Sequence, residues 1–203
     1  MLLLPKMRTL RALSLALCAC FMLSGCLTAK MYVDPALPVA SKTDLKQPAQ
    51  PKPVQVLFEF RTKGNANAKA TAEIRPRVVA VASESGLFST VSSTAGGNDS
   101  GVLKVVIDNL VLTENAAAKG FGTGLTLGLA GSMVSDGYVC TASYSRDGKV
   151  TETTVKHAIH TTIGNHSGPE GLTALEPQAA VHQVMDQMAW NALKQLGDQG
   201  AFE

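Results

Sequence analysis

Val54, Val56, Phe58 and Phe60 alternate with Gln55, Glu59 and Arg61. A period of two predicts a half-buried strand, with Leu57 the one apolar residue on its outer face. Residues 67–85 then carry Ala70, Ile74, Val78, Val81 and Ser85 at helical spacing. Pro76 falls inside this pattern, where a proline costs about 3 kcal/mol. The spacing therefore predicts a helix that starts near Arg75 and Pro76 or kinks there, and that ends at Gly86. Residues 87–92 read as a short second strand and 94–101 as a loop. In 102–112, Leu103, Val105, Ile107 and Val111 share one face and Val102, Val106 and Leu110 the other. That pattern predicts a central strand covered on both sides, with Asp108 and Asn109 as polar exceptions. Tyr138, Cys140, Ala142 and Tyr144 line one face of a fourth strand. Asp147 and Gly148 then predict a type I′ hairpin into a fifth strand over 150–163, followed by a loop over 164–171. Finally, Val181, Val184, Met185, Met188, Ala192 and Leu196 form one apolar stripe. They predict a helix over 174–196, with Pro177 in its first turn, Gly197 after its last and Phe202 pinning the tail.

The order β-α-β-β-β-β-α, with helices on one face of a mostly antiparallel sheet, is that of an α+β two-layer sandwich. Residues 54–203 are long enough for one domain with a substantial core. Residues 27–53 hold five of the nine prolines and little apolar periodicity. They read as a tether that cannot bury enough surface to fold alone. Extended, such a chain spans roughly 80 Å, and as a flexible coil nearer 30 Å. The alternative is that a few of its residues, such as Met31, Tyr32 and Val33, pack back onto the domain.

The N-terminus changes the picture. Lys6, Arg8 and Arg11 precede an apolar run from Ala12 to Leu23, which ends in Leu23, Ser24, Gly25 and Cys26. A span needs about 20 apolar residues, and this run is shorter. A basic stretch, a short apolar run and small residues before a cut site make residues 1–25 a secretory signal peptide. Leu23-Ser24-Gly25-Cys26 resembles the lipobox of bacterial lipoproteins. The resemblance implies cleavage between Gly25 and Cys26, diacylglycerol on the Cys26 sulfur and an acyl chain on the new amine. Leu27, where inner-membrane lipoproteins carry Asp, resembles outer-membrane sorting. A mature chain with several acyl groups is held firmly by a bilayer, so the expected place is the outer membrane, facing the periplasm. The element order also resembles small periplasmic lipoproteins that assist envelope assembly and lipid transport.

Cleavage removes three basic residues and no acid, leaving 15 Lys and Arg against 16 Asp and Glu. A near-neutral chain without a basic cluster argues against nucleic acid. Cys18 and Cys20 leave with the signal peptide and Cys26 is lipidated, so Cys140 stands alone in an oxidising compartment.

Catalytic signals are weak. Cys140 and His157 on paired strands read as a nucleophile and base only if the thiol is exposed beside a positive group; on an apolar face, Cys140 reads as packing. His157 shares a face with Val155 and Ile159 and reads as a hydrogen-bonded core histidine. His160 points to the other face and, with His166 and His182, reads as solvated. Two strand histidines at an odd offset do not share one metal. Gly120-Phe121-Gly122-Thr123-Gly124 lacks the last glycine of a dinucleotide fingerprint, because residue 125 is leucine. The expectation is a non-catalytic protein without a cofactor beyond its lipid.

Residues 120–135 carry no charge. Gly120, Gly124 and Gly128 repeat every four residues, Gly131 follows, and Phe121, Leu125, Leu127 and Leu129 lie between and beside them. Small residues at that spacing let another helix approach closely. Such a segment packs on its own sheet, docks a protein or lipid, or inserts as one copy of several into a membrane. The leading expectation is an outer-membrane-anchored binding or scaffold component of envelope assembly or transport, with a protein partner. The alternatives are a subunit of a membrane-inserted oligomer using 120–135, and an envelope hydrolase using Cys140 and His157.

Overall fold

A computed structural model describes residues 29–94, 100–112, 133–164 and 167–203. In chain order the elements are β1 (Ala29–Val33), β2 (Lys52–Thr62), β3 (Asn65–Ala66), α1 (Ala68–Glu84), β4 (Phe88–Ser92), β5 (Gly101–Leu112), β6 (Met133–Arg146), β7 (Lys149–Ile163) and α2 (Pro177–Asp198). The strands form one sheet in the order β1-β7-β6-β5-β2-β3, with β4 also paired to β2. β5, β6 and β7 make an antiparallel meander, and β2 runs parallel to β5 and to β4. Both helices lie on one face, α1 over β2 and β4, α2 over β7, β6 and β1. The result is the α+β two-layer sandwich that the sequence predicts.

Alternation explains the core. Val54, Val56, Phe58 and Phe60 of β2, Leu103, Val105 and Ile107 of β5, and Tyr138, Cys140, Ala142 and Tyr144 of β6 are all buried against the helices. From α1 come Ile74, Val78, Val81 and Ala82, and from α2 Val184, Met185, Met188, Ala192 and Leu196. Leu57 is exposed on the outer face of β2. Arg77 of α1 forks onto both carboxylate oxygens of Asp186 in α2, which ties the helices to each other. At the hairpin, Asp147 and Gly148 have φ of 51° and 77°, the left-handed pair that a type I′ turn requires.

Four expectations need correction. α1 begins at Ala68, not at Pro76, and runs through the proline. The Asn67 side chain accepts from the Ala70 N–H and starts the helix, while Pro76 and Ala72, whose carbonyl the proline cannot bond, are both exposed. α2 begins at Pro177, three residues late, because Leu175 is bridged to Met31 and Glu176 is extended, as a residue before proline prefers. The far face of β5 is only half-buried at Val102, Val106 and Leu110, since both helices occupy the other side.

The fourth correction concerns the proline-rich stretch. Met31, Tyr32 and Val33 belong to β1, which pairs with β7 from Ala29 opposite Ile163 to Val33 opposite Ile159. Beyond it, Ala40 and Leu45 are buried. The Asn191 side chain donates to the Pro38 carbonyl at 2.8 Å, and Gln47 donates to the Ser85 carbonyl at 3.0 Å. The strap is tied to the domain in both directions, its Pro38 carbonyl by a side chain of α2 and its Gln47 side chain on the carbonyl after α1, so residues 29–53 pack on the domain rather than swing free of it.

Candidate functional site

Register brings three polar side chains together at one end of the sheet, on the face away from the helices. β6 places Ser135 opposite His160, and β1 places Tyr32 opposite the same histidine. The strand β1 continues by one residue, where the Asp34 N–H donates to the Ala158 carbonyl at 3.1 Å. Ser135 Oγ and His160 Nδ1 are hydrogen-bonded at 2.8 Å, and His160 Nε2 meets Asp34 Oδ2 at 2.9 Å. The other Asp34 oxygen accepts the Ala36 N–H at 2.8 Å. The His160 and Asp34 side chains have no solvent exposure. His160 is therefore a buried, doubly bonded residue and not the solvated one the sequence suggests.

The chain Ser135–His160–Asp34 has the connectivity of a nucleophile, a base and an orienting acid. Acyl transfer also needs an accessible oxygen beside free N–H donors for the oxyanion. Ser135 sits inside a continuous ladder, opposite Leu112 on one side and His160 on the other, and is only 8% exposed. The arrangement clamps β1, β6 and β7 to one another. Gly168 packs on the ring of Tyr32 so closely that a Cβ there would overlap it, which brings the loop after β7 against the same strand.

On the helix face, His157 is fully buried. Its Nδ1 accepts the Ala158 N–H at 3.0 Å, so Nε2 carries the proton and donates to Gln187 Oε1. Burial lowers its pKa, with the Gln187 bond opposing. Cys140 is paired across the sheet with Val155, while His157 is opposite Tyr138. The Cys140 thiol has no exposure, and burial pushes its pKa up to about 12. A cysteine nucleophile near neutral pH needs the thiolate, so this thiol does not supply one. His182 lies on α2 within 3.4 Å of Arg77. Among the described residues no cluster of His, Cys, Asp and Glu is arranged to hold a metal.

The opposite end of the sheet carries an open groove of about 700 Å³, lined among others by Gln47, Lys52, Leu87, Tyr144, Arg146 and Phe202. Phe202 packs edge-on against Phe88 and Tyr144, at centroid distances of 5.3 and 5.1 Å, and so pins the tail as the sequence suggests. Gly101 lies against the Tyr144 ring with no room for a Cβ. One Arg146 guanidinium nitrogen is buried without a partner among the described residues.

Gly25 and Cys26 lie outside the described residues, as do His166 and Gly120, Phe121, Gly124, Leu125, Leu127, Gly128, Leu129 and Gly131. The sequence reading missed Asp34 and Ser135. The signal for Asp34 was present, since the alternation of Met31, Tyr32 and Val33 runs straight into Asp34-Pro35, and a residue before proline stays extended.

No family model matches the chain, and no curated protein matches it. Among solved structures it is similar to rare lipoprotein B from Shewanella oneidensis, at 12% identity and a TM-score of 0.34, over 71% of this chain and 96% of that one. It is also similar to a PelC dodecamer from Paraburkholderia phytofirmans, at 14% identity and a TM-score of 0.35, over 84% and 98% of the two chains. Both likenesses are distant. Among the described residues no helix is long and apolar enough to cross a membrane.

Proposed function

We propose that this chain is a lipid-anchored protein of the bacterial envelope, held on the outer membrane through Cys26 and facing the periplasm, where it binds or scaffolds a protein partner and catalyses no reaction. The observation that carries this reading is the sequence Leu23-Ser24-Gly25-Cys26 at the end of a short apolar run. A cysteine at that place is a site for lipid, and acyl chains acting together hold a domain on a bilayer. The inert, buried Cys140 and the enclosed Ser135–His160–Asp34 chain support binding over chemistry. The open groove beside Arg146 and Phe202 is where such a partner has concave surface to fill.

The test is Cys26→Ser in cells, read by intact mass and membrane fractionation. The variant is expected to keep its signal peptide, to carry no acyl mass and to leave the outer-membrane fraction. If it is cut and fractionates as the parent does, the anchor is elsewhere. Crosslinking of intact envelopes followed by recovery of the wild-type protein tests the second half of the reading. A single protein species captured by wild type and lost with Arg146→Glu would support it.

A further inference from the structure

We infer that the end of the sheet at which β1 begins is the surface that meets the lipid bilayer, so that the domain stands on the membrane with its strands directed away from it. This rests on Cys26 as the lipidated residue and adds an orientation to that reading.

Chain length is the first argument. Cys26 precedes Ala29, the first residue of β1, by three residues. At no more than about 3.6 Å per residue, the lipidated Cα lies within about 11 Å of the sheet. The tether suggested by the prolines would have left the domain tens of ångströms away and free to turn; the strand removes that freedom.

Register is the second. Ala29 is opposite Ile163, Thr162 is opposite Met133, and Leu112 is opposite Ser135. The start of β1, the end of β7, the start of β6 and the end of β5 therefore lie together. Strand β1 cannot slip away from this end, because its pairing to β7 is fixed by Asp34 on His160 and by the fit of Gly168 on Tyr32.

Chemistry is the third. Ile163 is half exposed at this end and Lys30 is exposed beside it on β1, an apolar side chain and a cation at the level where acyl chains meet anionic headgroups. Lys63, exposed on the turn after β2, stands at this end with the Asp108 carboxylate bonded to Gly64 beside it, whereas Lys52, Arg146, Asp147 and Lys149 stand at the other. At about 3.3 Å per residue, the fifteen residues of β7 separate the two ends by roughly 45 Å.

The experiment uses the mature, acylated protein in vesicles of phosphatidylethanolamine and phosphatidylglycerol. Ile163→Cys and Lys149→Cys are each labelled with an environment-sensitive fluorophore; Cys140 is buried and Cys26 is acylated. Nitroxide-labelled lipids serve as quenchers. The expected result is strong quenching and a blue shift at 163, with neither at 149. Equal quenching at both positions, or stronger quenching at 149, overturns the orientation. A blue shift at 163 that arises in native envelopes but not in protein-free vesicles would mean that a protein covers this end, and would overturn it too. Intact mass beforehand separates the two claims. A mature chain from cells whose intact mass carries no acyl groups defeats the anchor, whereas an acylated, bound chain unquenched at 163 defeats only the orientation.

Discussion

Asp34 and His160 have no solvent exposure and each is the other's partner, so neither side chain can be removed without stranding a polar group. Asp34→Ala leaves both His160 Nε2 and the Ala36 N–H without their acceptor. One stranded buried group costs about 1–3 kcal/mol. We therefore expect Asp34→Ala to lower the unfolding free energy in urea by about 2–3 kcal/mol. With Ser135→Ala the losses should fail to add, because both substitutions break one chain of bonds. A loss below about 0.5 kcal/mol, ordinary for a surface site, would show that the clamp holds nothing. Cys140 invites the opposite expectation. Cys140→Ala should cost only about 1 kcal/mol or somewhat more and leave cellular function intact. In the folded parent, a thiol-specific reagent should find Cys140 unreactive until denaturant is added. Loss of function at unchanged melting temperature would make the thiol chemical after all. Of these residues the sequence made Cys140 legible, because its neighbours at i±2 are apolar or small and lie on one strand. It hid the environment of His160, whose partner is 126 residues away in a stretch whose prolines point to a free tether.

Helix α2 closes the core over the meander, with Ala180, Val184, Met185, Met188, Ala192 and Leu196 at or near zero exposure. Met185→Asp would set an unpaired charge against the sheet. Burying even a neutral polar group without a partner costs several kcal/mol, which is a large fraction of a domain's stability. The variant is expected to accumulate poorly and to lose its cooperative melting transition in circular dichroism. A folded variant would mean that the stripe faces a partner and not the sheet. Elements whose pattern is local were readable: the alternation of β2, the stripe of α2 and the Asp-Gly turn each depend on a few neighbouring residues. The missed boundaries have non-local causes. Pro76 is tolerated because it points to solvent and Asn67 starts the helix early, and β1 exists only because β7 offers an edge with which a five-residue strand can pair.

At the scale of the molecule, helices on one face, a mixed sheet and a strap along the side place the proposed lipid anchor at one end and the Arg146–Phe202 groove at the other. The layer architecture followed from the order of patterned segments; the proposed standing of the domain on its anchor did not, because it depends on where the first strand sits. The proposed anchor would confine the protein to a surface. Confinement raises the rate at which copies meet, as any tether raises effective concentration, and an open strand edge then becomes a template for pairing. Here the two flanks of the sheet are interrupted. Along β2 the outer side is divided between β4 at Lys52–Gln55, β3 at Arg61 and Thr62, and the Thr71 and Asn67 groups bonded to Phe60. Along β1, Met31 exchanges two hydrogen bonds with Leu175, at 3.1 and 2.8 Å. Neighbours that the proposed anchor crowded into a two-dimensional layer would therefore collide without finding, among the described residues, a long continuous ladder to extend.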